Sequence, residues 1–386
     1  MTHVYVGMSG GVDSSLTAAL LLEQGYDATG VYMKNWTQDL PGMRCPWADD
    51  LADAKRVAVQ LGIDFKVFDF ENEYKHKVVD YMINEYKAGR TPNPDIMCNQ
   101  EVKFKLFLDT ALDDGADMIA TGHYARVGKK KPDSSVRSQS EHSLQGFAPV
   151  AFGSPTATVS DNEHTDKSAG AVLKMAIDAN KDQTYFLYRV TGKALSKTLF
   201  PIGEFEKSKV REMAKERGLY TAGKKDSQGI CFVGQIGMRD FLSEYVHTKP
   251  GDIIDKKSGK KLGVHDGAIF YTLGQRHGLD VGGGLPYYVV GKDMEKNEVY
   301  VTTDLNDLSL WKDSVKLTDV SWINNAPTKG EYRIRVRHRG KLVKAKLSYD
   351  SNFIILNLEN PERAVAAGQS IVIYDGEVCL GGGIII

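Results

Sequence analysis

The first third of the chain alternates short apolar runs with amphipathic stretches. An apolar run at residues 4–8 precedes small polar residues and then a second apolar stretch at 15–22, which predicts strand, turn and helix. Similar alternation predicts strands at 28–33, 64–69 and 117–121 and helices at 48–61, 71–87 and 101–112. We therefore expect an α/β fold with a doubly wound parallel sheet, in which ligands bind at the carboxyl ends of the strands.

The pattern changes twice further along the chain. Residues 129–171 are rich in Ser, Gly, Pro and charged side chains with little periodicity, which predicts a long surface insertion. From about residue 251, glycine-punctuated β-rich runs predict small β domains or a barrel. We expect a catalytic domain over 1–236, a small central domain over 237–297 and a C-terminal β-barrel over 298–386.

Composition excludes some classes of protein. The 386 residues are 42% hydrophobic and 26% charged with a net charge of −1, which is typical of a globular protein and leaves nucleic-acid binding open. The sequence contains no run of about 18 apolar residues, so we predict no membrane span. No signal segment is evident either, and we expect a cytoplasmic protein. The four cysteines include no Cys-x-x-Cys pair, so we predict neither a disulfide scaffold nor a thiolate metal site.

Residues 9–14, Ser-Gly-Gly-Val-Asp-Ser, form the turn after the first predicted strand. Gly10 and Gly11 permit close backbone approach, the serines add hydroxyl donors, and Asp13 can hold a Mg²⁺ bound to phosphates. No lysine follows the glycines, so this is not a Walker loop. It resembles the pyrophosphate loop of the N-type ATP pyrophosphatases; the alternative is an ordinary turn with a serine cap.

Two cysteines lie in polar surroundings. Cys98 ends the proline-containing segment 91–99, which we expect to be rigid and non-helical, and it precedes a helix that carries lysines, a setting that favours the thiolate. Asp95 is close enough in sequence to serve as an acid/base group. Cys231 follows a basic turn. Cys379 is predicted to be a small buried hydrophobe, and the same interpretation suits Cys45.

A basic stretch lies near the C-terminus. Arginine occurs at every second position from 333 to 339, which on a strand would place four guanidinium groups on one face. That face is a candidate for binding phosphates of a nucleic acid, and a solvated outer barrel face is the alternative.

Taken together, these segments resemble the tRNA-specific 2-thiouridylases, in order along nearly the whole chain apart from the insertion. The resemblance rests on residues 9–14, 91–99, 120–124, 181–183, 225–234, 272–276 and 374–383. It implies ATP as a cofactor with Mg²⁺, tRNA as the substrate, and an upstream protein that supplies persulfide sulfur.

The resemblance also implies roles for individual residues. The positions that match ATP-binding residues are Gly7, Met8, Ser9, Gly10, Gly11, Val12, Asp13, Ser14, Met33 and Gly122. Cys98 matches the catalytic nucleophile, Asp95 its acid/base partner, and Cys231 the cysteine that carries the persulfide. The positions that match tRNA-contacting residues are Asn93, Pro94, Asp95, His123, Lys181, Asp182, Gln183, Arg337, His338 and Gln369. Many members have tyrosine where this chain has His338, and both rings can stack on a base.

The implied reaction is ATP-dependent 2-thiolation of the wobble uridine. One alternative is a small-molecule ligase or amidotransferase of the same ATP-pyrophosphatase superfamily, which would leave both cysteines and the arginine stretch without a role. A second alternative is a tRNA-binding module without catalysis, which the intact 9–14 turn, Asp95 and the two cysteines argue against.

Overall fold

A computed structural model describes residues 1–39, 45–129, 170–225, 237–282, 284–350 and 353–386. Most of the predicted insertion and Cys231 lie outside these described residues. Among the described residues, none of the helices combines the length and apolar character that crossing a bilayer would need.

Strands and helices alternate in the first half of the chain, and strands dominate the second half. The strands are β1 His3–Gly7, β2 Asp27–Lys34, β3 Asp64–Asp69, β4 Met118–Thr121, β5 Ala125–Lys129, β6 Ala171–Met175, β7 Thr198–Leu199, β8 Gly251–Asp255, β9 Lys261–His265, β10 Tyr288–Asp293, β11 Glu298–Thr302, β12 Trp311–Trp322, β13 Gly330–Arg335, β14 Val343–Asp350, β15 Phe353–Arg363, β16 Ser370–Asp375 and β17 Val378–Ile385. The α-helices are α1 Val12–Glu23, α2 Trp47–Leu61, α3 Glu71–Tyr74, α4 Asp80–Lys87, α5 Pro94–Met97, α6 Phe107–Asp113, α7 Thr184–Leu187, α8 Gly192–Ser196, α9 Lys207–Glu216 and α10 Met238–Ser243. Two π-helical segments, Lys75–Val79 and Cys98–Leu106, join neighbouring α-helices, and 3₁₀ turns occur at Tyr220–Gly223, Ala268–Phe270 and Leu308–Leu310.

The first sheet has the order β3-β2-β1-β4-β7, and all its strands are parallel. The central strands β2, β1 and β4 are largely buried because helices cover both faces, as apolar runs without alternation require, whereas the edge strand β3 is more exposed. Gly7 at the end of β1 pairs with Val31 of β2 and Thr121 of β4, so the loops after these strands meet at one edge. This arrangement confirms the predicted doubly wound parallel sheet.

A four-stranded sheet, β10-β11-β8-β9, follows, and then a barrel. The barrel runs β12-β15-β14-β13-β16-β17 and closes through pairing of β17 with β12. Strands β6 and β5, which come from the first third and middle of the chain, extend this sheet from β17. The largest apolar core contains Tyr5 and Cys98 together with Tyr374 and Cys379 of the barrel, so the two units share one core.

The predicted start of the cysteine-bearing helix is wrong. Segment 91–99 was expected to be non-helical, but helix begins at Pro94 and runs without a break to Asp113. Proline is tolerated at the first helical position because the amide that it lacks would have no partner within the helix. Cys98 therefore lies in the second turn.

The predicted arginine face is also wrong. Strand β13 ends at Arg335, and Arg339 has a left-handed φ of +58°. Arg333 and Arg337 are exposed, whereas Arg335 is buried with Asp182, an acidic partner from a distant part of the chain. Strand periodicity could not reveal that partner.

Candidate functional site

The turn between β1 and α1 exposes backbone N–H groups at the carboxyl edge of the first sheet. Gly10 has a φ of +70°, and a Cβ there would lie 2.4 Å from the carbonyl oxygen of Asp50, so this position requires glycine. The Ser9 amide donates to the Ser14 hydroxyl at 3.2 Å, and that hydroxyl lies 3.2 Å from the carbonyl oxygen of Gly11, to which it donates. Gly11 precedes α1 and has no side chain to cap it. The uncapped backbone amides at the start of α1 therefore suit an anion.

Two other positions predicted for ATP lie at the same edge. Gly122 follows β4, and a Cβ there would lie 2.8 Å from the backbone nitrogen of Ser14 and 2.8 Å from the carbonyl carbon of Asp13. Met33 lies near the end of β2, with its Cε 3.0 Å from where a Cβ on Gly7 would be. The close packing of Gly122 on the start of α1 places the loop after β4 beside the 9–14 turn.

Asp13 has two partners from other elements. The Lys207 ammonium lies 2.7 and 2.8 Å from its two carboxylate oxygens, and the Tyr124 hydroxyl donates to one of them at 2.9 Å. The Lys207 side chain is only 11% exposed. The helix α9 that carries this lysine packs on α1 through Val210 and Leu16, which fixes the lysine at the start of α1.

Cys98 begins the π-helical segment Cys98–Leu106 and is buried, with 1% of its surface exposed. Its thiol forms no disulfide with another described cysteine. Asp95 is half-buried in the first turn, three residues earlier and so on the same side of the helix. Single turns of π-helix occur often at functional sites. Burial raises the pKa of the Cys45 and Cys379 thiols, which keeps both protonated.

The helical run that contains Cys98 also contacts two predicted tRNA-binding regions. The Asn99 side-chain amide donates to the Phe186 carbonyl oxygen at 3.1 Å, and the Phe186 ring lies 4.4 Å from the His338 ring. Phe104, on the same run, packs 5.5 Å from His123. The fold thus gathers these histidines around the helix of the predicted nucleophile.

Two of the ionisable residues predicted to contact tRNA are buried. The Asp182 carboxylate accepts hydrogen bonds from the Ala176 amide at 3.0 Å and the Thr184 hydroxyl at 2.8 Å, and it pairs with Arg335 at 2.6 Å. Its side chain is 0% exposed, so it offers no surface to RNA in this conformation. His123 is buried too, and burial holds its pKa well below the usual value, so its ring is neutral.

The other predicted tRNA-contacting positions are more accessible, apart from the buried ring of Pro94. Arg337 is exposed, and its guanidinium lies 3.9 Å from the Glu362 carboxylate. Gln183 accepts a hydrogen bond from the Tyr124 amide at 2.8 Å. Asn93, Lys181 and Gln369 are partly exposed. Their contact with tRNA stays a prediction.

Three residues that shape this site have no role predicted from the sequence, namely Lys207, Tyr124 and Phe186. Lys207 stands out in the sequence only as one of a cluster of basic residues, and Tyr124 only as a neighbour of His123. Their partners lie far away along the chain, so no local pattern could have identified them.

Three family models match the chain in sequence order. Residues 2–235 match a model described as tRNA methyl transferase HUP domain, residues 239–303 the tRNA methyl transferase PRC-barrel domain, and residues 312–385 the aminomethyltransferase beta-barrel domain. The three descriptions name methyl transfer, so the reaction is better judged from relatives that match the whole chain.

Those relatives carry one name. The tRNA-specific 2-thiouridylase MnmA of Bacillus subtilis (strain 168) is 44% identical over 391 aligned positions, which cover 100% of this chain and 95% of that protein. The protein of the same name from Bacillus thuringiensis (strain Al Hakam) is 42% identical over 99% of this chain and 94% of its own length. Among solved structures, a 4-thiouridine synthetase–RNA complex with bound ATP covers 64% of this chain and 50% of that chain at 15% identity, with a TM-score of 0.36, which carries no conclusion about function. On its identity to relatives along its whole length, this chain belongs to the family of tRNA-specific 2-thiouridylases.

Proposed function

We propose that this protein uses ATP to convert the wobble uridine of tRNA to 2-thiouridine, with AMP and diphosphate as the other products. The observation that carries the proposal is the identity along the whole chain to relatives named 2-thiouridylases. The anion-binding turn and the buried Cys98 supply the two chemical parts that such a reaction needs.

The first step activates the base. A uracil C2 carbonyl is a poor electrophile, and attack of its oxygen on the α-phosphate of ATP releases diphosphate and makes AMP the leaving group. The uncapped backbone amides at the start of α1 would bind the phosphates. Mg²⁺ supplies positive charge to the phosphates when bound, and Asp13 is the residue that would hold it. Since the described residues contain no group of three or more His, Cys, Asp or Glu suited to a metal, phosphate oxygens and water would complete its ligands.

The second step transfers sulfur. The terminal sulfur of a persulfide on Cys231 attacks C2 and AMP departs. The Cys98 thiolate then attacks the Cys231 sulfur, which forms a Cys98–Cys231 disulfide and leaves both electrons of the broken bond on the sulfur at C2. Alternatively, Cys98 first releases the terminal sulfur as sulfide, which attacks C2. Cellular thiols of the cytoplasm, the compartment that we propose, reduce the disulfide, and a carrier protein restores the persulfide.

The residues around Cys98 have supporting roles in this proposal. Asp95 exchanges protons with Cys98 or the base, because it lies one turn earlier on the same helix. Asn93, Pro94, Lys181, Gln183, Arg337, His338 and Gln369 contact the tRNA.

The test uses purified protein with ATP, Mg²⁺, a persulfide donor and unmodified tRNA, with the product nucleosides identified by mass spectrometry. We expect 2-thiouridine from the wild-type protein and none from the Cys98→Ser variant. The Cys379→Ala variant is the matched control, since that cysteine is equally buried but lies in β17, and it should retain thiolation.

Three results would contradict the proposal. Full thiolation by both the Cys98→Ser and the Cys231→Ser variants would rule out a mechanism that uses these two cysteines. Formation of AMP only when a small acceptor is added, without thiolated tRNA, would favour the ligase alternative. Binding of tRNA without any AMP release would favour the non-catalytic module.

A further inference from the structure

The pairing of Lys207 with Asp13 raises a question about the nucleotide site. The lysine neutralises the carboxylate that is proposed to hold Mg²⁺, and both oxygens are within 2.8 Å of the ammonium. The carboxylate cannot keep this ammonium and also bind a cation through the same oxygens, because like charges would then share one position.

Neighbouring groups hold the backbone of Lys207 and orient its side chain. Its own backbone amide donates to the Asp178 carboxylate at 3.0 Å, and its ammonium lies 5.6 Å from the centre of the Tyr124 ring. The side chain extends from the first residue of α9 towards the first turn of α1, the end of that helix at which anions bind. A mostly buried ammonium beside the backbone amides of a helix start is a strong phosphate-binding arrangement.

We propose that Lys207 is a phosphate-binding residue of the nucleotide site, held on Asp13 until the nucleotide arrives. When Mg²⁺ and ATP bind, Asp13 exchanges the ammonium for the cation, and Lys207 turns to the phosphate oxygens. Lysine suits such an exchange because its ammonium is a point charge with three donors on a flexible stem. This inference rests on the proposed use of ATP and adds a residue to that step.

The exchange explains why an anion-binding turn tolerates a carboxylate. Without Lys207, Asp13 would present an unpaired negative charge where the phosphates of ATP must bind. With the lysine in place, the charge of Asp13 is neutralised and does not repel the phosphates. Once the magnesium-bound nucleotide is present, the cation neutralises the carboxylate instead. The pairing should therefore matter most for binding of nucleotide without metal.

The test measures binding of a non-hydrolysable ATP analogue by calorimetry, without tRNA or sulfur donor, once with Mg²⁺ and once with EDTA. Lys207→Met should weaken binding of the magnesium complex by about ten- to a hundredfold, the range that a hydrogen bond to a charged group supports. In EDTA the loss should be larger, because the unpaired Asp13 carboxylate then also repels the phosphates. Lys209→Met is the matched control: that lysine lies on the same helix, is half-exposed and pairs with Glu212, so its loss should change binding less than twofold.

The Asp13→Asn variant tests whether the Lys207 ammonium moves from Asp13 to the phosphates or stays on Asp13. It should tighten binding in EDTA several-fold, because the amide holds Lys207 less strongly and the ammonium can turn to the phosphates, and adding Lys207→Met should abolish that gain. The double variant leaves neither charge unpaired, so it also serves if Lys207→Met alone fails to fold. Unchanged binding by Lys207→Met, or a gain in Asp13→Asn that survives the second substitution, would overturn the inference.

Failure of this inference is distinguishable from failure of the proposed function. If the wild-type protein binds the analogue but the variants behave as it does, Lys207 has only a structural role and thiolation is untouched. If the variants follow the expected pattern but no 2-thiouridine forms with tRNA, the proposed reaction is wrong and the nucleotide site stands.

Discussion

His338 shows how burial changes the chemistry of a single residue. Its ring packs 4.4 Å from Phe186, and its buried Nδ1 has no hydrogen-bond partner among the described residues. Burial, with further contributions from Arg339 and Arg335, lowers its pKa to about 4. The ring is therefore uncharged at neutral pH, which suits stacking on a base, as predicted for this position, better than pairing with a phosphate.

The depressed pKa of His338 predicts a pH dependence of stability. In the unfolded chain a histidine titrates near pH 6.5, whereas the folded protein resists protonation until about pH 4. The unfolded state thus binds more protons in this window, so stability is complete above pH 6.5 and falls as the pH drops towards 4. Unfolding temperatures measured from pH 7.5 to 4 should decline less in His338→Phe than in the wild-type protein. Parallel curves would show that another group is responsible.

The sequence predicts the roles of residues in the 9–14 turn better than the roles of the residues that contact this turn. Gly10 and Asp13 belong to a contiguous motif whose chemistry is local, so the sequence alone predicts their role. Lys207 reaches Asp13 from 194 positions away, and only the packing of α9 on α1 brings it there. A single sequence holds no information on that packing.

At the scale of elements, the segment that leads into the Cys98 helix is anchored to two other units. The Thr91 amide donates to the Ala367 carbonyl oxygen at 2.9 Å, and the Thr91 hydroxyl lies 3.0 Å from the Thr272 hydroxyl. Gly368 packs so closely that a Cβ there would lie 2.7 Å from the Thr91 nitrogen. The barrel and the central sheet region thereby fix where α5 begins.

This anchoring predicts that Thr91 positions the nucleophile. Thr91→Val keeps the shape of the side chain but loses the hydrogen bond to Thr272, worth about 1 kcal/mol, or about fivefold. We expect the single-turnover rate of thiolation to fall by about that factor while nucleotide affinity is unchanged. Thr198→Val, which loses a buried hydrogen bond to Ala194 elsewhere, is the control and should leave the rate unaltered. Equal rates for Thr91→Val and wild type would contradict a positioning role.

Elements were predictable where their pattern is local. Strands β2 and β3 and helix α2 follow the predicted ranges closely, because the pattern of apolar and polar residues within each segment is local to it. The predicted start of the Cys98 helix is wrong because proline disfavours the interior of a helix but is compatible with its first position, which Pro94 occupies. The prediction of an arginine face is wrong because alternating residues share a face only within a strand, and β13 ends at Arg335.

For the whole molecule, a series of contacts joins the nucleotide turn to the barrel. Tyr124 bonds Asp13 through its hydroxyl and Gln183 through its amide. The neighbouring Asp182 pairs with Arg335 at the end of β13. The fold class was predicted correctly, but this connection was not, since its contacts join segments between 59 and 153 residues apart. The domain boundaries proposed from sequence stay a prediction, and β5 and β6 extend the barrel sheet from within the first of those domains.

The buried pair predicts strong energetic coupling between the two units. Asp182→Asn would leave the Arg335 charge buried without its partner, and Arg335→Met would do the same to Asp182; each should lower the free energy of unfolding by about 3 kcal/mol or more. The double variant removes both charges, so it should cost clearly less than the sum of the two, as measured by urea unfolding at pH 7. Lys344→Met is the control, because its pair with Glu359 is exposed and should contribute less than about 1 kcal/mol. If the two single costs simply add, Asp182 and Arg335 act independently, and the barrel is not held to the nucleotide unit through this pair. If they couple as expected, the pair links the end of β13 to the segment that carries Gln183.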